Sequence, residues 1–326
     1  MGSELRDAQR KGGPLGVPAP VAADPAGGLA DRLDRVPELA GQPRTVTELP
    51  GGLTNRNYKV TTGAGAFVAR VWSGGGDFLA INRDHEYRNS VAAAQAGVGA
   101  RVVAYHPADN LLLLRFIEGR TFGNEDVQSP ANIPRIAQAC RQLHTGPRFA
   151  GDFDMFVIQG RYAAVTAELG FRVPAGYDAL MPQMEAARRA LAARAEPTVP
   201  CNNDLLAANF IDDGRRIWLI DYEYAGNNDA CFELGNIWGE CRLSADALAG
   251  LVTAYYGRPL RNKIARAMLL GIVGKYGWTL WGAIQAATSP IEFDFWSWAM
   301  ERYEGAVAGL TGPGFPRLLD DVQRDD

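Results

Sequence analysis

The order Asp204, Asn209, Asp221 constrains this chain more than any other feature of it. Asp204 stands in the run Cys201-Asn202-Asn203-Asp204-Leu205, Asn209 comes five positions later, and Asp221 ends the next apolar stretch. Asn209-Phe210-Ile211 and Arg216-Ile217-Trp218-Leu219-Ile220 flank Asp212-Asp213-Gly214-Arg215. Asp-Gly between two apolar runs is a hairpin signal. Such a hairpin carries Asn209 at one end and Asp221 at the other, side by side, as two ligands of one ion must be. Phosphoryl transfer from ATP asks for this set: a carboxylate that orients the hydroxyl nucleophile and takes its proton, and oxygen ligands that hold Mg²⁺ against the phosphates. Asp204 is placed for the first task, Asn209 and Asp221 for the second. Each of the three alone also reads as a turn former; the ordered set is what points to catalysis.

Further motifs stand in register with this core. Gly51-Gly52-Leu53-Thr54-Asn55-Arg56-Asn57-Tyr58 lies upstream, Ile220-Asp221-Tyr222-Glu223-Tyr224-Ala225-Gly226 and Phe232-Glu233-Leu234-Gly235-Asn236 follow the hairpin, and Trp278-Thr279-Leu280-Trp281 comes later. Taken with Cys201 to Asn209, these resemble the choline/ethanolamine kinases, relatives of the aminoglycoside phosphotransferases. The similarity runs from about Thr47 to about Tyr303. The resemblance implies a bilobal, protein-kinase-like α+β fold, ATP as phosphoryl donor and Mg²⁺ held by Asn209 and Asp221. It departs at one place: the family carries His two residues before the catalytic Asp, and this chain has Asn202. Asn donates and accepts as His does, with a different reach.

On the nucleotide side, Gly51-Gly52 permits a tight turn with N–H groups toward phosphate oxygens. Thr54 and Asn55 offer side-chain donors beside it. Gly-Gly is also an ordinary turn, and the loop is neither a Walker A nor a G-x-G-x-x-G sequence. Arg70, in an apolar strand, sits where kinases place the cation that grips the phosphates. A charge there needs a partner; Glu86 in the following helix is expected, with Asp84 competing. The bland alternative points Arg70 to solvent. Glu118 and its neighbours form the expected hinge and would meet adenine through backbone groups.

On the acceptor side, Trp278 and Trp281 share a helix face, and Trp298 follows on the next helix. Plain core packing would explain two Trp at this spacing equally well. An aromatic wall is also how proteins hold quaternary ammonium groups, at about 0.5–2 kcal/mol per ring. By the resemblance, Glu240 faces the cation, Trp278 and Trp281 line the cage, and Trp298 stands where the family has a cage Tyr. A further family Tyr is missing near Ala245. Glu223 is a second acidic candidate, for the acceptor or for tuning the metal site; Asp229 and Glu233 read as structural. The acceptor implied is choline or a related cationic amino alcohol. An aminoglycoside-type kinase and a catalytically silent nucleotide-binding protein, the latter motivated by Asn202, are the alternatives.

Bulk properties fit this reading. With 326 residues, 47% hydrophobic and 21% charged, the chain can bury the cores of two lobes. A net charge of −4 without a basic run argues against nucleic acid. Four of the 33 basic residues are Lys, an Arg-rich habit of GC-rich bacterial genomes. Cys140, Cys201, Cys231 and Cys241 form no CxxC pair and read as buried thiols. No signal-type or membrane-length apolar run is present, so a cytoplasmic enzyme is expected.

Along the chain, residues 1–28 read as a disordered tail, rich in Gly, Pro and Ala. Residues 29–117 read as an N-lobe with a helix over 29–39, a helix over 83–96 and five antiparallel strands. Residues 118–122 are the hinge, and 123–326 a mainly helical C-lobe. Its helices are expected over 132–144, 177–194, 245–256, 261–287 and 293–310.

Overall fold

The computed structural model describes residues 28–72 and 78–325. The predicted tail lies outside the described residues apart from Gly28. A short helix α1 (Leu29–Asp34) precedes strands β1 (Arg44–Leu49), β2 (Asn55–Thr62) and β3 (Gly65–Trp72). Helix α2 (Arg83–Gln95) and strands β4 (Val102–His106) and β5 (Leu111–Arg115) follow. The strands form one antiparallel sheet in the order β1-β2-β3-β5-β4. Strand β2 extends beyond its apolar centre, because Asn55 already pairs with Trp72 of β3.

Side chains alternate between the faces of a strand, and here each face has its own cover. Tyr58, Val60, Phe67, Ala69, Val71, Leu111 and Leu113 turn to one face, where Leu29, Leu33, Val36 and Leu39 close a small core. Arg70, between Ala69 and Val71, must then turn to the other face. That face is covered, so Arg70 is 5% exposed and the solvent-facing alternative is excluded.

Beyond β5 the chain is mostly helical. A two-residue strand β6 (Arg120–Thr121) pairs with the hairpin strand β8 (Phe210–Asp212), which pairs with β9 (Ile217–Leu219). Strands β7 (Thr198–Cys201) and β10 (Gly226–Asp229) make a second ladder. The helices are α3 (Asn124–Gln128), α4 (Ile133–His144), α5 (Met155–Glu168), α6 (Met181–Ala193), α7 (Ala230–Glu240), α8 (Ala245–Tyr256), α9 (Arg261–Thr288), α10 (Phe295–Thr311) and α11 (Phe315–Asp321). The single helix expected over 177–194 begins as a 3₁₀ turn, Tyr177–Leu180. Pro182, which lacks an N–H, falls in the first turn of α6, where the donor is dispensable.

Helix α9 is the axis of this half. It is apolar nearly all round and buried along most of its length, as a central helix must be. It packs against α5, α7 and α10. The contact with α7 is backbone to backbone: a Cβ on Gly235 would stand 2.0 Å from the Ala267 carbonyl oxygen, and one on Gly271 would stand 2.6 Å from that of Gly235. This close seam sets Glu240 at the end of α7 beside Trp278 and Trp281 of α9. All four cysteines are buried and unpaired. Among the described residues, no helix is long and apolar enough to cross a membrane.

Candidate active site

The loop after β7 is held from three sides. Glu233 of α7 accepts the backbone N–H groups of Asn202 (2.8 Å) and Asn203 (2.7 Å). Asn203 has φ of 69° and spreads its amide over the carbonyls of Cys201, Tyr224 and Gly226. Asn202 donates to the carbonyls of Ile220 (3.1 Å) and Asp221 (2.8 Å), while its Oδ1 accepts the Asp204 N–H (3.1 Å). The residue that departs from the family pattern therefore ties the Asp204 loop to the Asp221 segment. Behind it, buried His144 and Cys201 approach Glu233, with His144 Nε2 3.5 Å from the carboxylate. Glu233 is spent on holding the loop.

Asp204, Asn209 and Asp221 line one cavity of about 1040 Å³. Asn209 donates its amide to the Asp204 carbonyl (2.7 Å), so among the described residues its Oδ1 is the atom left for a ligand. Asp221 has φ of 67°, an uncommon conformation for a residue with a side chain. A carboxylate and an amide oxygen facing one cavity are hard donors that suit Mg²⁺. Burial raises the Asp204 carboxyl well above its ordinary range, and Asp221, Glu240 and Glu223 push the same way against Arg302.

Arg70 is the hub of the nucleotide side. Its Nε lies 2.7 Å from Glu86, and its Nη2 lies 2.5 Å from Asp221 and 3.1 Å from Glu223. Burial opposes its charge, but Asp221, Glu86 and Glu223 outweigh that and hold its pKa well above the usual value. Asp84, the competing partner, instead accepts the Tyr105 hydroxyl at 2.7 Å. Glu223 is buried and accepts from Thr54 (2.6 Å), Asn55 (2.7 Å) and Arg83 (3.3 Å) as well as Arg70. It joins the phosphate-type loop to the Asp221 segment. Gly52 sits in that loop with φ of 92°, and a Cβ there would meet the Asn55 carbonyl at 2.6 Å. Glu118 stands apart from these groups: its side chain is 79% exposed and lies 3.6 Å from Lys59.

The far end of the same cavity is aromatic. Trp238, Trp278, Trp281 and Trp298 all reach it. Trp281 donates its indole N–H to the Tyr224 hydroxyl (2.6 Å), and its ring centroid lies 5.0 Å from that of Trp298. Trp278 packs edge-on against Tyr224 at 5.0 Å. Both helix-spaced Trp thus belong to the core and to the cavity wall at once. Glu240 lines the cavity too, but Arg302 holds it at 2.5 Å and lies 3.3 Å over the Trp298 ring.

Sequence reasoning had missed Arg302, Lys275, Trp238 and Tyr224. A signal was available for two of them: Arg302 is four residues past Trp298, and Lys275 three before Trp278, spacings that share a helix face. No local pattern marked Trp238, whose place depends on how α7 meets α9.

Residues 45–267 match the phosphotransferase enzyme family. Mouse ethanolamine kinase 1 is 24% identical over 311 residues, 80% of this chain and 83% of its own. A solved structure of a choline/ethanolamine kinase family protein from Mesorhizobium loti is 31% identical, with a TM-score of 0.80 over 91% of this chain and 98% of the other. The choline kinase LicA from Streptococcus pneumoniae superposes with a TM-score of 0.75 at 22% identity, over 88% of this chain and 99% of the other. The bilobal fold, the match over most of the chain and the relative above 30% identity agree: the chain belongs to the phosphotransferase enzyme family, within its choline/ethanolamine kinase group.

Proposed function

We propose that the protein transfers the γ-phosphoryl group of Mg·ATP to the hydroxyl of a small cationic amino alcohol, choline or a close relative. One observation carries this reading: Asp204, Asn209 and Asp221 share a single cavity with a wall of Trp rings. Asp204 orients the acceptor hydroxyl and takes its proton; its raised pKa makes it a better base than an exposed carboxylate. Asn209 and Asp221 are the residues that would hold Mg²⁺, which when bound offsets phosphate charge. Arg70, fixed by Glu86, stands ready for the phosphates, with Gly52, Thr54 and Asn55 forming the loop beside them. Trp281, with Trp278 beside it on α9, receives the cation through its ring face, because Arg302 already lies over the Trp298 ring. Because Arg302 already neutralises Glu240, the rings carry more of that task than the carboxylate does.

The reading is tested by following ATP consumption and phosphorylated product with choline, ethanolamine, thiamine and an aminoglycoside. Asp204→Asn should reduce turnover by at least about 10³-fold, since proton transfer and hydroxyl orientation fail together. Normal turnover in that variant would remove Asp204 from the mechanism. Turnover with the aminoglycoside alone would move the acceptor to another class.

A further inference from the structure

One cation of the cavity wall has no carboxylate in contact. Arg242, Lys275 and Arg302 line the cavity with Glu240 and Glu301, as do Asp204, Asp221 and Glu223. Arg302 takes Glu240 at 2.5 Å and Glu301 at 3.7 Å, and Arg242 takes Glu301 at 2.5 Å. Lys275 has no carboxylate within 4 Å among the described residues. Its stem passes between Gly239 of α7 and Gly305 of α10, where side chains of ordinary size would touch it: a Cβ would come 3.2 Å from its Cε and 3.1 Å from its Cδ. Its ammonium lies 4.8 Å from the centre of the Trp238 ring. Glu240 and Glu301 act on it only from beyond ion-pair contact, and a half-buried cation without a contacting counter-ion is costly. It also repels a ligand whose only charge is positive.

We propose that the acceptor is a zwitterion, an amino alcohol that also bears an anionic carboxylate or phosphoryl group, and that Lys275 binds that group. This rests on the kinase reading above and narrows its substrate class. The ligand's ammonium meets the Trp rings, and its anion supplies the charge that Lys275 lacks. Burial lowers the Lys275 pKa, with Glu240 opposing; a bound anion would restore it. The simpler alternative is that Lys275 only covers the Trp238 ring with its stem, and this predicts no preference among ligands.

Two matched pairs test it. Carnitine is choline with a carboxymethyl group on its hydroxyl carbon, and serine is ethanolamine with a carboxylate on its amine carbon. Binding of all four to the full chain is measured by titration calorimetry, and product formation separately, for the wild type, Lys275→Met and Lys275→Arg. The wild type should bind the acid-bearing member of at least one pair about tenfold or more tightly, Lys275→Arg should keep that preference, and Lys275→Met should shift the ratio about tenfold toward the plain amine. Equal or tighter binding of choline and ethanolamine to the wild type overturns the proposal, as does a preference that survives Lys275→Met. If Lys275→Met does not fold, the wild-type pairs and Lys275→Arg decide. Preference without product from any of the four would make Lys275 an anion site for a ligand that is not phosphorylated, and would overturn the proposal together with the kinase reading. Product from choline without preference would overturn the proposal and leave the kinase reading standing.

Discussion

Asp204 keeps its carboxylate beside three others, and that crowding has a thermodynamic signature. Its pKa in the fold is raised well above the ordinary value of 3.8 by burial, then by Asp221, Glu240 and Glu223. A carboxyl whose folded pKa is raised binds its proton more tightly when folded than when unfolded. It therefore costs nothing below pH 3.8 and subtracts stability as pH rises past that value toward the folded pKa. Asp204→Asn removes the ionisation, so the inactive variant should be more stable than the wild type at pH 7, by about 1–2 kcal/mol. The gain should vanish near pH 3.5, about where both forms are neutral. Thermal melts across that range check it; a variant less stable than the wild type at neutral pH would mean that the carboxylate is well compensated. At this scale the sequence was most readable where chemistry restricts residue type. The Arg70–Glu86 pair could be named because a buried cation needs a partner, and the common cavity of Asp204, Asn209 and Asp221 because the ordered set, unlike each residue alone, points to one site. Asn202 and Glu233 could not be assigned their tasks, because their partners are backbone atoms of segments up to 31 residues away.

Elements were legible where a local signal fixes them. Asp213-Gly214 gave away the hairpin of β8 and β9, and Gly214 has φ of 83°, the conformation such a turn needs. Helices α5 and α7 escaped notice, because glycines and β-branched residues weaken their helix propensity. Tertiary packing overrides that propensity in α7. Gly235 is placed there by the need for α7 to lie directly on α9. Gly235→Ala should therefore do more than an ordinary helix substitution. Its methyl would overlap the Ala267 carbonyl, push α7 off α9 and cost about 1–3 kcal/mol by overpacking. Because Glu240 rides on α7 and Trp278 and Trp281 on α9, the KM for the acceptor should rise several-fold more than the KM for ATP. Equal changes in both constants, measured in the same assay, would separate this seam from the acceptor end.

For the whole molecule, the question is what holds the sheet half against the helical half. Arg70 reaches across to Asp221 and Asn89 to the Ala225 carbonyl, and two further side chains span the cleft at the phosphate-type loop. Gln285 of α9 donates to the Leu53 carbonyl at 2.7 Å, and Glu223 gathers Thr54, Asn55, Arg70 and Arg83. Neither contact has a sequence signature, since the partners lie 140 to 232 residues apart; this is why Glu223 was left between two roles. Its bonds to Thr54 and Asn55 favour a latch on the phosphate-type loop over a role for the acceptor. Glu223→Gln keeps the shape and removes the charge that Arg70 and Arg83 share. The four donors would then face an amide, one end of which cannot accept. Losing one member of such a buried cluster costs about 3–5 kcal/mol. The loop from Gly51 to Asn55 should open more often, seen as faster amide hydrogen exchange there. The KM for ATP should rise about tenfold, while binding of the acceptor without nucleotide should change less than twofold, since the partners of Glu223 are Thr54, Asn55, Arg70 and Arg83. If acceptor binding fell as much as ATP affinity, Glu223 would belong to the acceptor after all, and the two ends of the cavity would be a single site coupled through it.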